Sequence, residues 1–556
     1  MDASSGRVKA GRWIGLLLGL LTFAVLLGTA ADYGLTSDEP VYTSRAFRAG
    51  QWLNLAFTDP GSMFDRAVID RLWDATGDEQ AGLPKLIGYP ATMLVSPFAS
   101  PLAAIRAGTI LTVSLLIGLL YIWVARVYGR PEALFASLGL LTLPRVFAHC
   151  HLFALDAPVM AWSGLAVICA YNAAVNGPER RKRCWLWIAL LGLAFGAAIA
   201  TKVNGWFIPF IVLPWLFIVR RRAFYAGLVS MAILGPLVFF LSWPWLWHDT
   251  AARVARYFSF FFKHYPVGVM YFGKTYALAP WHFAPVMLLI TTPILILLLG
   301  AVGVFRTTRS AGVSPASVTA PLPEAGETPA LRGWWQRAAG YLMLWALLVN
   351  IGPSCLPSSP KYNGVRLFLP VFVPLIILAA SGFGFLARKG VAALAKSPRE
   401  ARLLMALCLA AALAPGAWST ANSHPYGMSY YNLLIGGTGG AQARGMEVTY
   451  WGDAFYAAVP YLNEKAPQGA KVWISVPGFV STMQMYQTFG LLRPDLQLTG
   501  GDEAFYKADL YVVMNKLTEM GDLAKGIVAR ENVLYVREVG GAPIVWVLKR
   551  PAQAGQ

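Results

Sequence analysis

The chain has 556 residues, of which 56% are hydrophobic and only 13% are charged, and its formal net charge at pH 7 is +18. This composition excludes an ordinary water-soluble domain, in which about 25% of residues are charged, and it indicates a membrane protein. Residues 1–419 hold the whole excess of charge, with 35 basic and 17 acidic residues, whereas residues 420–556 hold 11 of each. Because the basic residues lie in short loops between apolar runs, membrane topology accounts for them, and a nucleic-acid partner is not indicated.

Apolar runs long enough to cross a bilayer recur along the chain up to residue 419. They predict a polytopic α-helical membrane protein with about 11 transmembrane helices. The predicted spans are 13–32, 101–126, 131–147, 157–177, 184–201, 203–219, 223–246, 282–305, 338–356, 365–387 and 401–419. The first run exceeds the apolar core of a signal peptide, so we expect an uncleaved anchor.

The loops on the two sides of the predicted membrane differ in charge. Arg-rich loops such as 180–183 and 220–222 all fall on one side, which the positive-inside rule assigns to the cytoplasm together with the N-terminus. The outer side then carries two long loops, 33–100 and 247–281. Residues 306–335 are rich in Pro, Ala, Ser and Thr, and they are predicted to form a disordered cytoplasmic linker.

The last segment, residues 420–556, alternates between helical and strand patterns and ends in a hairpin that turns at Gly540 and Gly541. It predicts a small extramembrane α/β domain. An odd number of spans places this domain on the outer side, opposite the N-terminus.

Charged residues at the outer ends of the spans are the candidates for chemistry, because a charge near the hydrocarbon is costly unless it faces water, a partner or a ligand. They are Asp38, Glu39, Lys85, Asp156, Lys202, Lys361 and Arg366. Such a mixture suits transfer of a sugar that is joined through phosphate to a long isoprenoid. The cations would neutralise the leaving phosphate, and a carboxylate would take the proton from an attacking hydroxyl.

Each of these residues also has a simpler interpretation. Asp38 and Asp156 are good helix N-cap residues, and a Glu in a first turn, such as Glu39, is favoured by the helix dipole. A lone lysine close to a membrane is commonly an interfacial residue. Histidines on the outer side leave a divalent metal ion open as an alternative, but no tight spacing indicates one, and we expect no cofactor to be required.

Five motifs follow one another along the chain: the Asp-Glu pair after the first span, LFALDAP at 152–158, ATK at 200–202, YFGKTY at 271–276 and KYNGVRLFLP at 361–370. In this order they resemble the membrane glycosyltransferases of the C-type fold, and more narrowly glycosyltransferase family 39. This family includes dolichyl-phosphate-mannose protein mannosyltransferases and relatives of the lipid A aminoarabinose transferase.

The resemblance implies roles for the candidate residues. Asp38 would be the catalytic base with Glu39 beside it, and Asp156 would be the second outer-loop Asp that orients acceptor or base. By the resemblance, Lys85 takes the place of the basic element of the first outer loop, and Arg366 that of the cation that meets the lipid phosphate. We expect Lys85, and Lys202 and Lys361 as further cations at the outer ends of spans, to help bind this phosphate. Weaker candidates for substrate binding are His151, which stands where the mannosyltransferases have Arg, and the motif residues Tyr271, Lys274 and Tyr362.

The resulting functional prediction is an inverting glycosyltransferase of the bacterial inner membrane that uses a polyprenyl-phosphate-linked sugar on the periplasmic side. Its acceptor, whether a protein, a lipid or a glycan, is not specified by the sequence. The main alternative is a transporter or flippase that carries the lipid-linked sugar without chemistry. No internal repeat is evident, and the charges gather at the outer ends of the spans, which favours the enzyme. A membrane scaffold whose α/β tail binds a partner is the third alternative.

Overall fold

The computed structural model describes residues 3–73, 80–176, 181–262, 266–309, 329–529 and 532–550. The helices up to residue 423 are α1 (Ala3–Thr29), α2 (Glu39–Thr58), α3 (Arg66–Trp73), α4 (Leu83–Val95), α5 (Pro101–Val127), α6 (Arg130–Leu141), α7 (Pro144–His151), α8 (Asp156–Val175), α9 (Arg181–Ile199), α10 (Ile208–Val219), α11 (Arg221–Leu241), α12 (Thr250–Phe262), α13 (Phe283–Thr291), α14 (Ile294–Thr308), α15 (Pro329–Ile351), α16 (Phe372–Leu394) and α17 (Pro398–Ser423). A hairpin of β1 (Val269–Tyr271) and β2 (Lys274–Tyr276) lies between α12 and α13.

Within the described residues, 8 helices are long and apolar enough to cross a membrane. Two further pairs, α6 with α7 and α13 with α14, pass the same test when each pair is taken as one bent span, and a shorter apolar helix occupies Val203–Val219. Each of these helices and pairs coincides with one of the predicted spans. The predicted polytopic helical fold is therefore confirmed.

The two bent spans break where the chain meets a proline. The axes of α6 and α7 differ by 69°, and those of α13 and α14 differ by 116°. Pro144 begins α7 and Pro293 directly precedes α14. A proline cannot donate a helical hydrogen bond, and it disfavours the helical conformation of the residue before it.

Small residues let the spans pack closely. A Cβ atom added to Gly303 of α14 would lie 2.0 Å from the carbonyl oxygen of Leu378 in α16. Gly382 of α16 lies equally close to the carbonyl oxygen of Leu299 in α14. These two helices therefore meet backbone to backbone, as membrane helices do where glycine removes the side chain from the interface.

The C-terminal segment folds as the predicted small α/β domain. Its elements are α18 (Gly437–Ala443), α19 (Val459–Lys465), β3 (Lys471–Ile474), α20 (Val480–Thr488), β4 (Gln497–Thr499), α21 (Asp502–Phe505), β5 (Leu510–Met514), α22 (Asp522–Val528), β6 (Val533–Val539) and β7 (Ala542–Lys549). The strand order is β4-β3-β5-β7-β6, in which β3 pairs in parallel with β4 and β5. The loops that follow β3 and β5 therefore leave the same edge of the sheet.

The bounds of the predicted linker, 306–335, include residues at both ends that are helical in the structure. Residues 310–328 lie outside the described residues, so their predicted disorder stays a prediction. At its two ends, residues 306–308 complete α14 and residues 329–335 begin α15. The helices extend into the low-hydropathy flanks because residues such as Arg306 and Gln336 bond to neighbouring spans.

The C-terminal domain packs directly on the loop between α1 and α2. The amide of Ser37 donates to the carbonyl oxygen of Trp451 at 2.9 Å, and the amide of Leu35 donates to the hydroxyl oxygen of Tyr486 at 2.6 Å. This contact places the domain over the segment that carries the Asp-Glu pair.

Candidate active site

A cavity of about 990 Å³ lies where the ends of the spans meet the C-terminal domain. Its charged lining residues are Asp38, Arg45, Lys202, Arg366, Lys516 and Glu519. Aromatic residues form another part of its wall, and they are Trp206, Phe207, Phe258, Phe260, Phe261 and Phe262. A charged pocket that continues into an apolar wall suits a ligand with a polar head and a hydrocarbon tail.

Arg366 lies at the centre of the charged pocket. Its Nη2 atom donates to Asp38 Oδ2 at 2.5 Å, and its Nε atom donates to Asp156 Oδ2 at 3.2 Å. Its guanidinium carbon lies 3.8 Å from the centroid of the Trp451 ring, a cation–π contact with the C-terminal domain. One side chain thus joins two carboxylates from distant parts of the sequence and the last domain of the chain.

A tight turn positions Arg366. Asn363 and Gly364 both have positive φ angles, 54° and 65°, which Asn and Gly adopt more readily than other residues. A Cβ atom on Gly364 would lie 2.4 Å from a guanidinium nitrogen of Arg145, so the close approach also requires glycine. The Asn204 side chain donates to the carbonyl oxygen of Leu367 at 2.7 Å, which ties this turn to the loop that carries Lys202.

Lys202 and Asp156 form a buried ion pair beside Arg366. The ammonium of Lys202 donates to Asp156 Oδ1, and the Asp156 side chain is only 1% exposed. Asp156 is the first residue of α8 and not its N-cap, which is Leu155. Seen from the cavity, Asp156 lies behind Lys202 and Arg366, and it does not line the cavity itself. It therefore positions the two cations from the interior of the protein.

Asp38 is the carboxylate of this group that reaches the cavity. It occupies the N-cap position of α2, yet its side chain makes no capping hydrogen bond. Its oxygens instead accept from Arg366, from the Ser37 hydroxyl at 3.2 Å and from the Tyr42 hydroxyl at 3.5 Å. With its side chain 24% exposed, Asp38 is accessible to a ligand.

Glu39 points away from the cavity into the protein. Its carboxylate binds Arg106 through two hydrogen bonds of 2.8 and 2.9 Å, and both side chains are 0% exposed. It also accepts from the backbone amides of Thr36 and Phe153, each at 2.8 Å. Arg106 donates in addition to backbone carbonyls of the loop that precedes the Asp-Glu pair. These contacts are structural, since Glu39 anchors the loop that presents Asp38.

Two predicted phosphate ligands, Lys85 and Lys361, do not line the cavity. The Lys85 ammonium donates to the carbonyl oxygen of Gln80 at 2.7 Å. The Lys361 ammonium donates to the carbonyl oxygens of Leu356 and Ser359 at 2.7 and 3.0 Å, and burial lowers its pKa. Both lysines stabilise loops at the rim, because free carbonyl groups there need donors.

Of the four weaker candidates, Tyr362 alone lines the cavity. His151 is buried, bonds to Thr29 and Phe147, and stacks on Tyr33. In the β1–β2 hairpin, the Tyr271 hydroxyl bonds to His282 at 2.9 Å, and the side chain of Lys274 is exposed. The motif positions in this hairpin are therefore outside the charged pocket.

Sequence reasoning missed five residues of this region: Arg45, Arg106, Trp451, Lys516 and Glu519. An arginine inside an otherwise apolar span needs a partner, so the run PLAAIRAGTI carried a signal for Arg106. Lys516 and Glu519 form an ion pair in the loop after β5. This loop reaches the cavity because of the order of strands in the sheet, which the sequence alone does not indicate. No local pattern distinguishes Trp451 from the other tryptophans.

The described residues contain no group of three or more His, Cys, Asp and Glu side chains that could hold a metal ion. The positive charges of the pocket belong to lysine and arginine. Independence from metal ions stays a prediction.

A buried carboxyl group lies close to the pocket in the C-terminal domain. Asp453 follows Trp451 by two residues and is 4% exposed. Burial raises the pKa of Asp453 to about 7, and the charge of Glu39 adds to the shift. Burial likewise raises the pKa of Glu447 to about 7.

We expect the stability of the protein to fall between pH 5 and pH 7.5 through Asp453. The folded protein keeps the proton up to a pKa of about 7, whereas the unfolded chain releases it near the ordinary value of an Asp, so raising the pH disfavours folding. The loss is about 2 kcal/mol over this interval. Asp453→Asn should remove this part of the pH dependence of stability. Glu447 is present in the unchanged protein and in the variant, so its own contribution to the pH dependence is the same in both.

The melting temperatures of the purified full chain and of Asp453→Asn at the two pH values test this expectation. Asp502→Asn, which changes an exposed carboxylate of the same domain, is the control and should melt as the unchanged protein does. An identical pH dependence in all three proteins would show that Asp453 does not take up a proton on folding.

Comparison with known proteins gives a family match and one curated relative. Residues 89–268 match the family model "Dolichyl-phosphate-mannose-protein mannosyltransferase". An undecaprenyl phosphate-alpha-4-amino-4-deoxy-L-arabinose arabinosyl transferase of Erwinia tasmaniensis is 26% identical over 299 residues, which are 51% of this chain and 46% of the relative. The chain thus aligns with about half the length of that relative.

The solved structures that resemble the chain include two that align with most of its length. The apo crystal structure of ArnT from Cupriavidus metallidurans has a TM-score of 0.49 and 14% sequence identity, and 98% of each chain is covered. The oligosaccharyltransferase AglB from Archaeoglobus fulgidus has a TM-score of 0.49 and 11% identity, covering 94% of this chain and 72% of that one.

Proposed function

We propose that this membrane protein is an inverting glycosyltransferase. Residues 89–268 match the family model of the dolichyl-phosphate-mannose-protein mannosyltransferases, the family that the sequence motifs resemble. It moves a sugar from a polyprenyl-phosphate carrier to an acceptor hydroxyl. The curated relative, whose name specifies undecaprenyl phosphate as carrier, supports a donor of this class. The observation that carries the proposal is the meeting of Asp38, Lys202 and Arg366 in one cavity with an aromatic wall.

The phosphate of the donor binds to Lys202 and Arg366. A guanidinium group can hold two phosphate oxygens at once, and an ammonium adds a second positive charge. The aromatic wall around Trp206 and Phe258 accepts the first isoprenoid units, because apolar side chains there offer a surface out of water. Binding in this way places the bond between sugar and phosphate beside Asp38.

Asp38 acts as the general base. As the acceptor oxygen forms a bond to the anomeric carbon, its proton passes to Asp38. The bond between the anomeric carbon and the phosphate oxygen breaks at the same time, and polyprenyl phosphate leaves with the electron pair. Attack opposite the leaving group inverts the anomeric configuration. No general acid is needed, because the leaving phosphate is stable as an anion.

Donor binding prepares Asp38 for this role. In the structure Arg366 donates to Asp38 Oδ2 at 2.5 Å, so this carboxylate oxygen is occupied before the donor binds. A donor phosphate competes for the same guanidinium group and releases an oxygen of Asp38. Asp156 keeps its contacts with Lys202 and Arg366 throughout, so it positions the two cations and does not itself touch the substrate.

The orientation of the chain in the membrane belongs to the same proposal. The Arg-rich loops lie at the ends of the spans opposite the cavity, and they support a cytoplasmic N-terminus, with the site and the C-terminal domain in the periplasm. We likewise propose a bacterial inner membrane location. The acceptor is a hydroxyl-bearing protein, lipid or glycan that enters between the cations and the loop of Lys516 and Glu519.

The reaction is tested with purified full-length protein in detergent, undecaprenyl phosphate that carries a radiolabelled sugar, and a membrane extract that supplies acceptors. We expect the label to leave the lipid and appear on an acceptor, with release of undecaprenyl phosphate. An intact donor after incubation would contradict the proposal and favour the transporter alternative. Addition of EDTA should leave the rate unchanged if no metal ion takes part.

A further inference from the structure

A second cavity, of about 470 Å³, lies within the bundle of spans, and we call it the side groove. Its walls come from α4, α5, α8, α9 and α11, and they are almost entirely apolar. Leu115 and Leu193 line it and are 46% and 43% exposed, so the groove opens sideways toward the surrounding lipid. None of the described residues lines both this groove and the candidate active site.

The part of the side groove that ends at Arg126 matches the depth of one leaflet of a bilayer. It extends along α5 from Leu115 to Arg126 and along α8 from Trp162 to Asn172, and the groove continues beyond this part to Leu83. At 1.5 Å per helical residue, the stretches of α5 and α8 each measure about 15 Å. This is about half of the 30 Å hydrocarbon thickness of a membrane, so one acyl chain of the leaflet at the Arg126 end would cover this part of the groove.

The polar end of the side groove lies far from the active site. Arg126 is the penultimate residue of α5, whose other end, Pro101, lies on the side of the Asp-Glu loop. A Cβ atom on Gly15 of α1 would lie 2.5 Å from Ile122 of α5, so Arg12 and Arg126, each about one turn further along, lie at the same level of the two helices. Arg183 is at the start of α9, next to Cys184, which bonds to Ala173 beside the groove residue Asn172. Among the described residues no carboxylate forms an ion pair with any of the three. Within the described ranges, these three exposed cations at the Arg126 end of the groove therefore have no carboxylate partner.

Two lining tryptophans add unused hydrogen-bond donors. The indole N–H groups of Trp123 and Trp162 are buried and have no acceptor among the described residues. Trp123 lies one turn from Arg126 on the same helix, at the depth where the ester carbonyl groups of a phospholipid would lie. A polar acceptor next to the charged end would satisfy this donor.

We propose that the side groove binds one anionic phospholipid of the leaflet opposite the active site, with its phosphate at Arg126, Arg12 and Arg183 and one acyl chain along α5, α8 and α9. Basic pockets between membrane helices recognise anionic headgroups in this way. We do not assign the side groove to the polyprenyl tail of the sugar donor. The phosphate of that donor is proposed to bind Lys202 and Arg366, which lie at the other end of the spans from Arg126. The inference does not depend on the transfer reaction.

The experiment counts lipids by native mass spectrometry. The full-length protein is reconstituted in nanodiscs of equal phosphatidylglycerol and phosphatidylcholine and then released into mild detergent. We expect one phosphatidylglycerol to be retained in preference to phosphatidylcholine. Arg126→Gln should lower its retention about tenfold, because a charge-assisted bond to the phosphate is lost. Arg222→Gln, which removes an arginine of α11 that does not line the groove, is the matched control.

A second variant tests the apolar part of the site. Ala194→Trp fills the groove while leaving all three arginines, and it should also abolish preferential retention. Melting temperatures in lipid-free detergent establish that each variant is folded. Retention of phosphatidylglycerol by both folded variants, or an equal loss in Arg222→Gln, would overturn the proposal and indicate general attraction of anionic lipids to the Arg-rich face.

Discussion

Replacing Asp38 by Asn is expected to lower the rate of sugar transfer about 10²- to 10⁴-fold, because general base catalysis contributes that much. Asn keeps the size of the side chain and can still accept a hydrogen bond from Arg366, but it cannot take a proton. Binding of the donor should therefore change little, and the loss should appear in the turnover rate. Steady-state transfer with labelled undecaprenyl-phosphate sugar measures both quantities.

The matched control for this prediction is Asp32→Asn. Asp32 lies six residues earlier in the same loop, pairs with His424 and does not line the cavity. Its replacement should leave the turnover rate within a small factor of normal. Near-normal transfer by Asp38→Asn would contradict the assignment of the base and direct attention to another group that lines the cavity.

Replacing the adjacent residue, Glu39, by Ala should unfold or strongly destabilise the protein. Glu39 and Arg106 are both fully buried, and removal of one member of a buried ion pair leaves an uncompensated charge. Such a loss costs about 3–5 kcal/mol. The expected result is a large decrease in melting temperature and in the yield of full-length protein, measured by thermal unfolding in detergent and by resistance to protease.

Asp38→Asn serves as the control for the stability of Glu39→Ala. Two neighbouring carboxylates should then give opposite outcomes, since Asp38 affects turnover with little effect on stability and Glu39 affects stability first. A Glu39→Ala protein that melts normally but does not transfer sugar would show that Glu39 takes part in catalysis, against the geometry of the buried pair.

Much of the fold follows from the sequence. Hydropathy locates the spans because only long apolar helices satisfy their backbone groups in lipid. Short runs of β-branched and aromatic residues bounded by turn signals predicted β3, β5 and the terminal hairpin after residue 420. The breaks before Pro144 and Pro293 were not predicted, because an apolar run looks the same whether its helix is straight or bent.

The site was predictable only in part. Asp38, Lys202 and Arg366 were identified as charges at the ends of spans, and the structure brings them together with Asp156 behind them. Lys85 and Lys361 have the same sequence signature but donate to backbone carbonyls. Sequence alone gives the depth of a charge in the membrane, whereas the direction of its side chain depends on packing between distant segments.

The contact between Arg366 and Trp451 has a consequence for how this protein matures. All of the membrane spans are synthesised before Trp451, and the tryptophan is held by a domain whose last strand ends at Lys549. In the proposed function, the cation that binds the carrier phosphate therefore receives its aromatic support only after every span has been synthesised. A nascent polypeptide that has inserted its spans but has not yet folded this domain would still lack part of the site.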